Sequence, residues 1–213
     1  MSEIRQVCEF EFSIVGMLRF VSHLELQNYL SRLLVRAGIE VRFTEGFNPR
    51  PRISLPVPRN VGIASMHDRG RFDVDEGFDP GVMMEKLKAV VPFEMKLHRA
   101  WVVPANRLER VKAVEWRIHL EGIRLEGIAS RIEEILCGQC LVTRKSKKQN
   151  KELTVDLRPM ILELTVEGQT LKAKIVYGPE GSVKPAELLD LLGLDRTQFL
   201  QKMTRETICW SGT

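Results

Sequence analysis

The residues of this chain best suited to chemistry are a histidine at a helix start and arginines on a proline-braced loop. His23 follows Ser22 in the run Arg19-Phe20-Val21-Ser22-His23-Leu24-Glu25. Imidazole can carry protons or contact phosphate, and the positive pole of a helix N-terminus favours a nearby anion. The loop reads Glu45-Gly46-Phe47-Asn48-Pro49-Arg50-Pro51-Arg52. Gly46 and Asn48 accept unusual backbone angles, and the prolines stiffen the chain. Arg50 and Arg52 therefore hang from a backbone of reduced freedom, and guanidinium forks suit phosphate or carboxylate oxygens. Phe47 can stack on a base or plug the core. No base or nucleophile partners His23 in the sequence, so ligand contact is the better expectation than proton transfer.

The elements that must position these residues are legible around them. Ser22 and Glu25 have the spacing of a capping box, and Val21 and Leu26 that of a hydrophobic staple. Leu26, Leu30, Leu33, Leu34 and Ala37 recur at helical spacing and mark the buried face. Arg32 and Arg36 sit four apart on another face and join the candidate ligand contacts. Gly38 ends the helix. Before it, Phe10, Phe12 and Ile14 alternate with Glu9, Glu11 and Ser13 over Val7–Val15, the pattern of a half-buried strand. After it come a short strand Ile39–Phe43, an extended Ile53–Val57, a loop over 62–70 and a strand Arg71–Val74. Asp79-Pro80 opens a second helix. Phe93–Val103 returns as a strand with Leu97, Arg99 and Trp101 on one side.

The same order repeats in the second half. Val111–Leu120 is a strand, Leu125–Leu136 a helix, Cys140–Thr143 a strand. Leu153–Leu157, Met160–Val166 and Leu171–Tyr177 follow, with a turn at Glu167-Gly168. Lys184-Pro185 opens a helix, Asp195 caps a further turn, and Thr204–Trp210 closes as a strand. The expected class is α+β, as two tandem ferredoxin-like units with antiparallel sheets, residues 1–105 and 106–213. One continuous α+β domain is the alternative.

Other candidates are weaker. Arg144, Lys145, Lys147, Lys148 and Lys151 put five positive charges into eight residues, either a polyanion-tracking arm or a solvated hairpin tip. Cys137 and Cys140 have CxxC spacing, but no second pair accompanies them, so packing is the better reading than zinc. Asp73, Asp75 and Glu76 could bind a cation but lack the spacing of a calcium loop, so a solvated strand end is the better expectation. No metal and no cofactor are expected. No P-loop, GxGxxG, HExxH or CxxxCxxC is present.

Composition narrows the setting. The 213 residues carry a net charge of +4, mildly basic, which permits an acidic partner without demanding one. Few, scattered cysteines and a charged N-terminus point to a reducing cytoplasm, and no run has the length of a membrane span.

The stretch Arg19-Phe20-Val21-Ser22-His23-Leu24-Glu25-Leu26, with Arg32, Arg36-Ala37-Gly38 and Gly46 to Arg52, resembles the bacterial radical SAM-linked protein family, a family of unknown function. Its pattern is Arg-Phe-x-Ser-His-Leu-Asp-Leu followed by Gly-Phe-Asn-Pro-(His or Arg)-Pro. Glu25 stands where Asp is common and Arg50 where His is common; the second departure weakens any two-histidine mechanism. Family members occur fused to, or encoded beside, radical SAM proteins, with neighbouring genes concerned with ribonuclease E/G or ribosomal proteins. The resemblance implies an accessory or substrate-binding protein for a radical SAM enzyme, working on RNA or a translation-related substrate, and more a non-catalytic partner than an enzyme. Arg19, His23, Arg32, Arg36, Phe47, Asn48, Arg50, Arg52, Arg144, Lys145, Lys147 and Lys148 are the ligand candidates. The alternatives are a metal-independent RNA endonuclease using His23, steadied by Arg19 or Arg52, and a plain protein–protein adaptor.

Overall fold

The computed structural model describes residues 5–47, 49–145, 152–179 and 181–211. The chain is a mixed α+β protein with mostly antiparallel sheet and, among the described residues, five α-helices. It divides into two compact units, one running to Arg110 and the other from Val111 to Ser211. No helix among the described residues is long and apolar enough to cross a membrane.

The first unit comprises β1 (Gln6–Ile14), α1 (His23–Arg36), β2 (Ile53–Ser54), β3 (Ala64–Val74), α2 (Pro80–Lys88) and β4 (Met95–Pro104). β1 lies between β3 and β4, and β2 pairs with β3; all three pairings are antiparallel. Alternation on β1 turns Cys8, Phe10, Phe12 and Ile14 toward a core shared with Leu26, Leu30, Leu33 and Leu34 of α1 and Met83 and Leu87 of α2. Each such side chain contributes about 1.5–3 kcal/mol on burial. Gly70 of β3 lies under the Phe10 ring: a Cβ there would meet a ring carbon at 2.3 Å. Only glycine lets that ring settle onto the sheet.

The capping box at α1 is present in both halves. The Ser22 N–H donates to Glu25 Oε2 at 2.9 Å and the Glu25 N–H to Ser22 Oγ at 3.3 Å. Gly38 takes φ +64° and ends the helix, the left-handed turn that side chains resist. Asp79 caps α2, with Pro80 in its first turn.

The second unit comprises β5 (Val111–His119), α3 (Leu125–Cys137), β6 (Leu141–Lys145), β7 (Glu152–Asp156), β8 (Ile161–Glu167), β9 (Thr170–Val176), α4 (Pro185–Leu191), α5 (Arg196–Phe199) and β10 (Met203–Trp210). β5 lies between β10 and β9, and β8 pairs with the far edge of β9. β6 and β7 form a separate two-stranded ribbon.

Three local expectations are corrected. Residues 39–43 form no strand; a single bridge joins Phe43 to Pro51. Residues 64–70, expected as loop, belong to β3. Their apolar pattern is absent because buried Ser65, Asp68 and Arg69 replace it, and buried Arg59 neutralises Asp68 at 3.0 Å. In β4, Leu97 pairs with Phe12 whereas Arg99 pairs with Glu11 and Trp101 with Glu9. The irregularity at His98 turns Leu97 to the core face and the other two to the opposite one.

Candidate ligand-binding site

The loop between α1 and β2 is closed at its neck. The Thr44 N–H donates to the Arg50 carbonyl at 2.8 Å, the Arg50 N–H to Thr44 Oγ1 at 3.0 Å, and the Arg52 N–H to the Arg42 carbonyl at 2.8 Å. Threonine's short hydroxyl substitutes here for a backbone acceptor, so the neck is tied more tightly than main chain alone allows. Phe47 stands at the tip fully exposed, 106% of its reference surface, and is therefore no core plug. The Arg50 guanidinium is exposed and has no partner among the described residues. Asn48 lies outside the described residues.

The neighbouring arginines are fixed to acids. Arg42 donates to Asp75 through Nε at 2.8 Å. Arg52 lies 3.7 Å from Asp73 and 4.0 Å from Glu45, and Arg5 reaches Asp73 from the other side at 3.5 Å. Asp73, expected at a solvated strand end, is buried between two cations.

Arg19 and His23 lie on either side of the entry into α1. Arg19 sits in the 3-10 turn Gly16–Phe20, its guanidinium 4.9 Å from the Phe20 ring centroid and its carbonyl accepting the Gly62 N–H at 2.9 Å. His23 is the first residue of α1, half-buried, with Nδ1 enclosed. The anion already placed at this helix start is Glu25. Its hydrogen bonds with the Ser22 side chain and backbone hold its carboxyl below the usual range. Arg32 is exposed in a shallow groove with Leu18, Phe20, Val21, Asn28 and Tyr29. Arg36 donates through Nη2 to the Val90 carbonyl.

Ile53, the residue after Arg52, accepts through its carbonyl from Gln27 Nε2 of α1 at 2.5 Å, which ties the end of the loop to the helix one turn beyond His23. Arg52 is held at Asp73.

In the second unit, Arg144 is committed to structure. It donates to Glu187 through Nε (2.9 Å) and Nη2 (2.6 Å) and to the Ser182 carbonyl at 2.7 Å. Burial works against the Glu187 charge, but the Arg144 guanidinium and the Lys184 N–H outweigh it and lower its pKa. Lys145 is exposed at the end of β6. Lys147, Lys148 and Lys151 lie outside the described residues. Cys137 is exposed at the end of α3, whereas Cys140 is buried beyond it, its thiol shifted upward first by burial and then by the Asp156 charge. Among the described residues no cluster of three or more His, Cys, Asp or Glu is arranged to hold a metal.

Sequence reasoning misses a second constellation, on the sheet face opposite the α1–α2 core. Glu9, 1% exposed, accepts from Arg71 Nε at 2.5 Å and from Trp101 Nε1 at 3.1 Å. Two residues on, Glu11 meets His67 Nδ1 at 2.9 Å and Arg99 Nη2 at 3.0 Å. The signal for it was the opposition of Glu9 and Glu11 to arginines at strand positions 69, 71 and 99. It is readable only once the strand order is known.

No curated protein matches the sequence significantly. A family model described as "uncharacterized protein conserved in bacteria (DUF2344)" matches residues 8–185, most of the chain, and the protein belongs to that bacterial family.

Proposed function

We propose that this protein is a cytoplasmic accessory protein that binds single-stranded RNA through the loop between α1 and β2, presenting a translation-related substrate to a radical SAM enzyme. The observation carrying the RNA reading is the loop tip. A fully exposed aromatic ring and, three residues on, an exposed guanidinium with no partner among the described residues lie beyond a neck tied by three hydrogen bonds. Aromatic faces accept bases of any sequence, and an adjacent arginine accepts the phosphate between them. The radical SAM partner rests on the family resemblance of the Arg19–Leu26 and Gly46–Arg52 motifs. Both units are read as ferredoxin-like, supported by strand–helix–strand order and by the pairings of β1 and β5 with a neighbour on each side.

Titration of a fluorescent single-stranded RNA tests the binding. Phe47→Ala is expected to weaken binding by about 1–3 kcal/mol, about 5- to 150-fold, if a base stacks there. RNA that does not bind, or that binds a Phe47→Ala/Arg50→Ala variant as tightly as the unaltered protein, contradicts the proposal. Co-purification with a radical SAM protein encoded beside it tests the partner; its absence under native conditions overturns that part alone.

A further inference from the structure

The carboxylate–imidazole pair on the face of the first sheet opposite the α1–α2 core has the construction of an acid–base site. Glu11 is flanked by His67 of β3 and Arg99 of β4. Partial burial opposes its charge, yet the hydrogen bonds from His67 and Arg99 prevail and hold its carboxyl below the usual range. An ionised carboxylate only accepts, so His67 Nδ1 carries the proton it shares with Glu11 Oε1 at 2.9 Å. The ring's basic lone pair is thereby fixed on Nε2, pointing away from the carboxylate. A base oriented by a third group in this way is the signature of a residue prepared for proton transfer.

The surroundings suit a phosphodiester. The His67 side chain is 47% exposed and that of Arg99 64%, so both are reachable. Arg99 uses Nε and Nη2 on Glu11, leaving Nη1 to donate elsewhere. Lys96 stands exposed one row along, opposite Ser13. The His98 ring stacks on His67 with centroids 5.2 Å apart, and its Nε2 donates to the Met66 carbonyl at 3.0 Å. A carbonyl acceptor fixes the proton on His98 Nε2, and the stacked ring walls the site on one side.

We propose that His67, oriented by Glu11, is a general base that cleaves RNA bound by this protein, with Arg99 and Lys96 stabilising the charge that develops on the phosphate. The inference rests on the RNA reading above. His67 Nε2 takes the proton of a ribose 2′-hydroxyl. The 2′ oxygen bonds to phosphorus as the bond from phosphorus to the 5′ oxygen breaks. The departing 5′ oxygen takes a proton from water, and the resulting hydroxide is neutralised by the proton on His67. The products are a 2′,3′-cyclic phosphate and a 5′-hydroxyl end.

Incubation of the full-length protein with end-labelled single-stranded RNA tests this, with the matched all-2′-deoxy oligonucleotide alongside. The expected result is cyclic-phosphate ends from RNA and no cleavage of the deoxy strand. His67→Gln is expected to lower the single-turnover rate at saturating RNA by about 100-fold or more. Glu11→Gln, altering a positioning residue, is expected to lower kcat with little change in KM. Phe47→Ala/Arg50→Ala is expected to raise KM and leave kcat. Thermal melts establish that each variant is folded. RNA that binds without being cleaved, deoxy substrate cut at the same rate, or a folded His67→Gln variant as active as the parent overturns the acid–base site and leaves the binding loop standing. RNA that does not bind overturns both.

Discussion

Arg50 and Arg144 read alike in the sequence, each a cation beside others in a turn-rich stretch. The fold gives them opposite roles. Arg144 spends its guanidinium on Glu187 and the Ser182 carbonyl, in a half-buried setting. Arg144→Ala is expected to cost about 1.5–3 kcal/mol of stability, the worth of hydrogen bonds to a charged group, by urea unfolding. The pair also sets an acid dependence. The folded Glu187 pKa lies below its ordinary value, so the unfolded chain binds the proton first as pH falls. The resulting stability is complete above the ordinary glutamate range and is lost as pH drops through the folded value. Arg144→Ala should flatten that part of the pH–stability curve; an unchanged curve would contradict the pairing. Arg50→Ala, by contrast, should leave the melting temperature unmoved. Nothing in residue type distinguishes these two arginines; the distinction is made by Glu187, 43 positions away in the chain from Arg144.

At the scale of elements, α1 was legible because every signal for it is local. Ser22, Glu25 and Gly38 mark its ends, and four leucines mark its face. Ser22→Ala should cost about 1 kcal/mol, since the Glu25 N–H loses its acceptor. β3 was half hidden, because its first residues bury polar groups whose partners lie outside the strand, at Arg59 and along β1. A periodicity argument sees only the strand's own residues. The Gly70–Phe10 contact was hidden for the same reason. Gly70→Ala places a methyl against a ring that is 1% exposed and unable to move aside. It should destabilise by about 1–3 kcal/mol as an overpacked site. Phe10→Leu should recover part of that loss in a double-mutant cycle. Additive losses would show that the ring and the glycine are not in contact. The irregularity at His98 is a further feature no single strand announces, and it delivers Arg99 to Glu11.

For the whole molecule, the α+β class follows from the order of strands and helices in the sequence, whereas the grouping of the candidate residues does not. Arg19, His23, Arg50 and Arg52 fall within one short stretch of chain, yet they are held differently: the Arg19 carbonyl accepts from Gly62, and Arg52 pairs with Asp73. With a net charge of only +4, binding to RNA must come from local placement rather than a broad basic field. The central claim is that the loop tip binds single-stranded RNA by one stacked ring and one phosphate contact. The most direct measurement is the affinity of a fluorescent single-stranded RNA as a function of salt, for the unaltered protein, Phe47→Ala and Arg50→Ala. The account predicts that Arg50→Ala reduces the salt slope by about 0.7, one phosphate contact, while Phe47→Ala weakens binding with the slope unchanged. Equal affinities and equal slopes for all three proteins would contradict it.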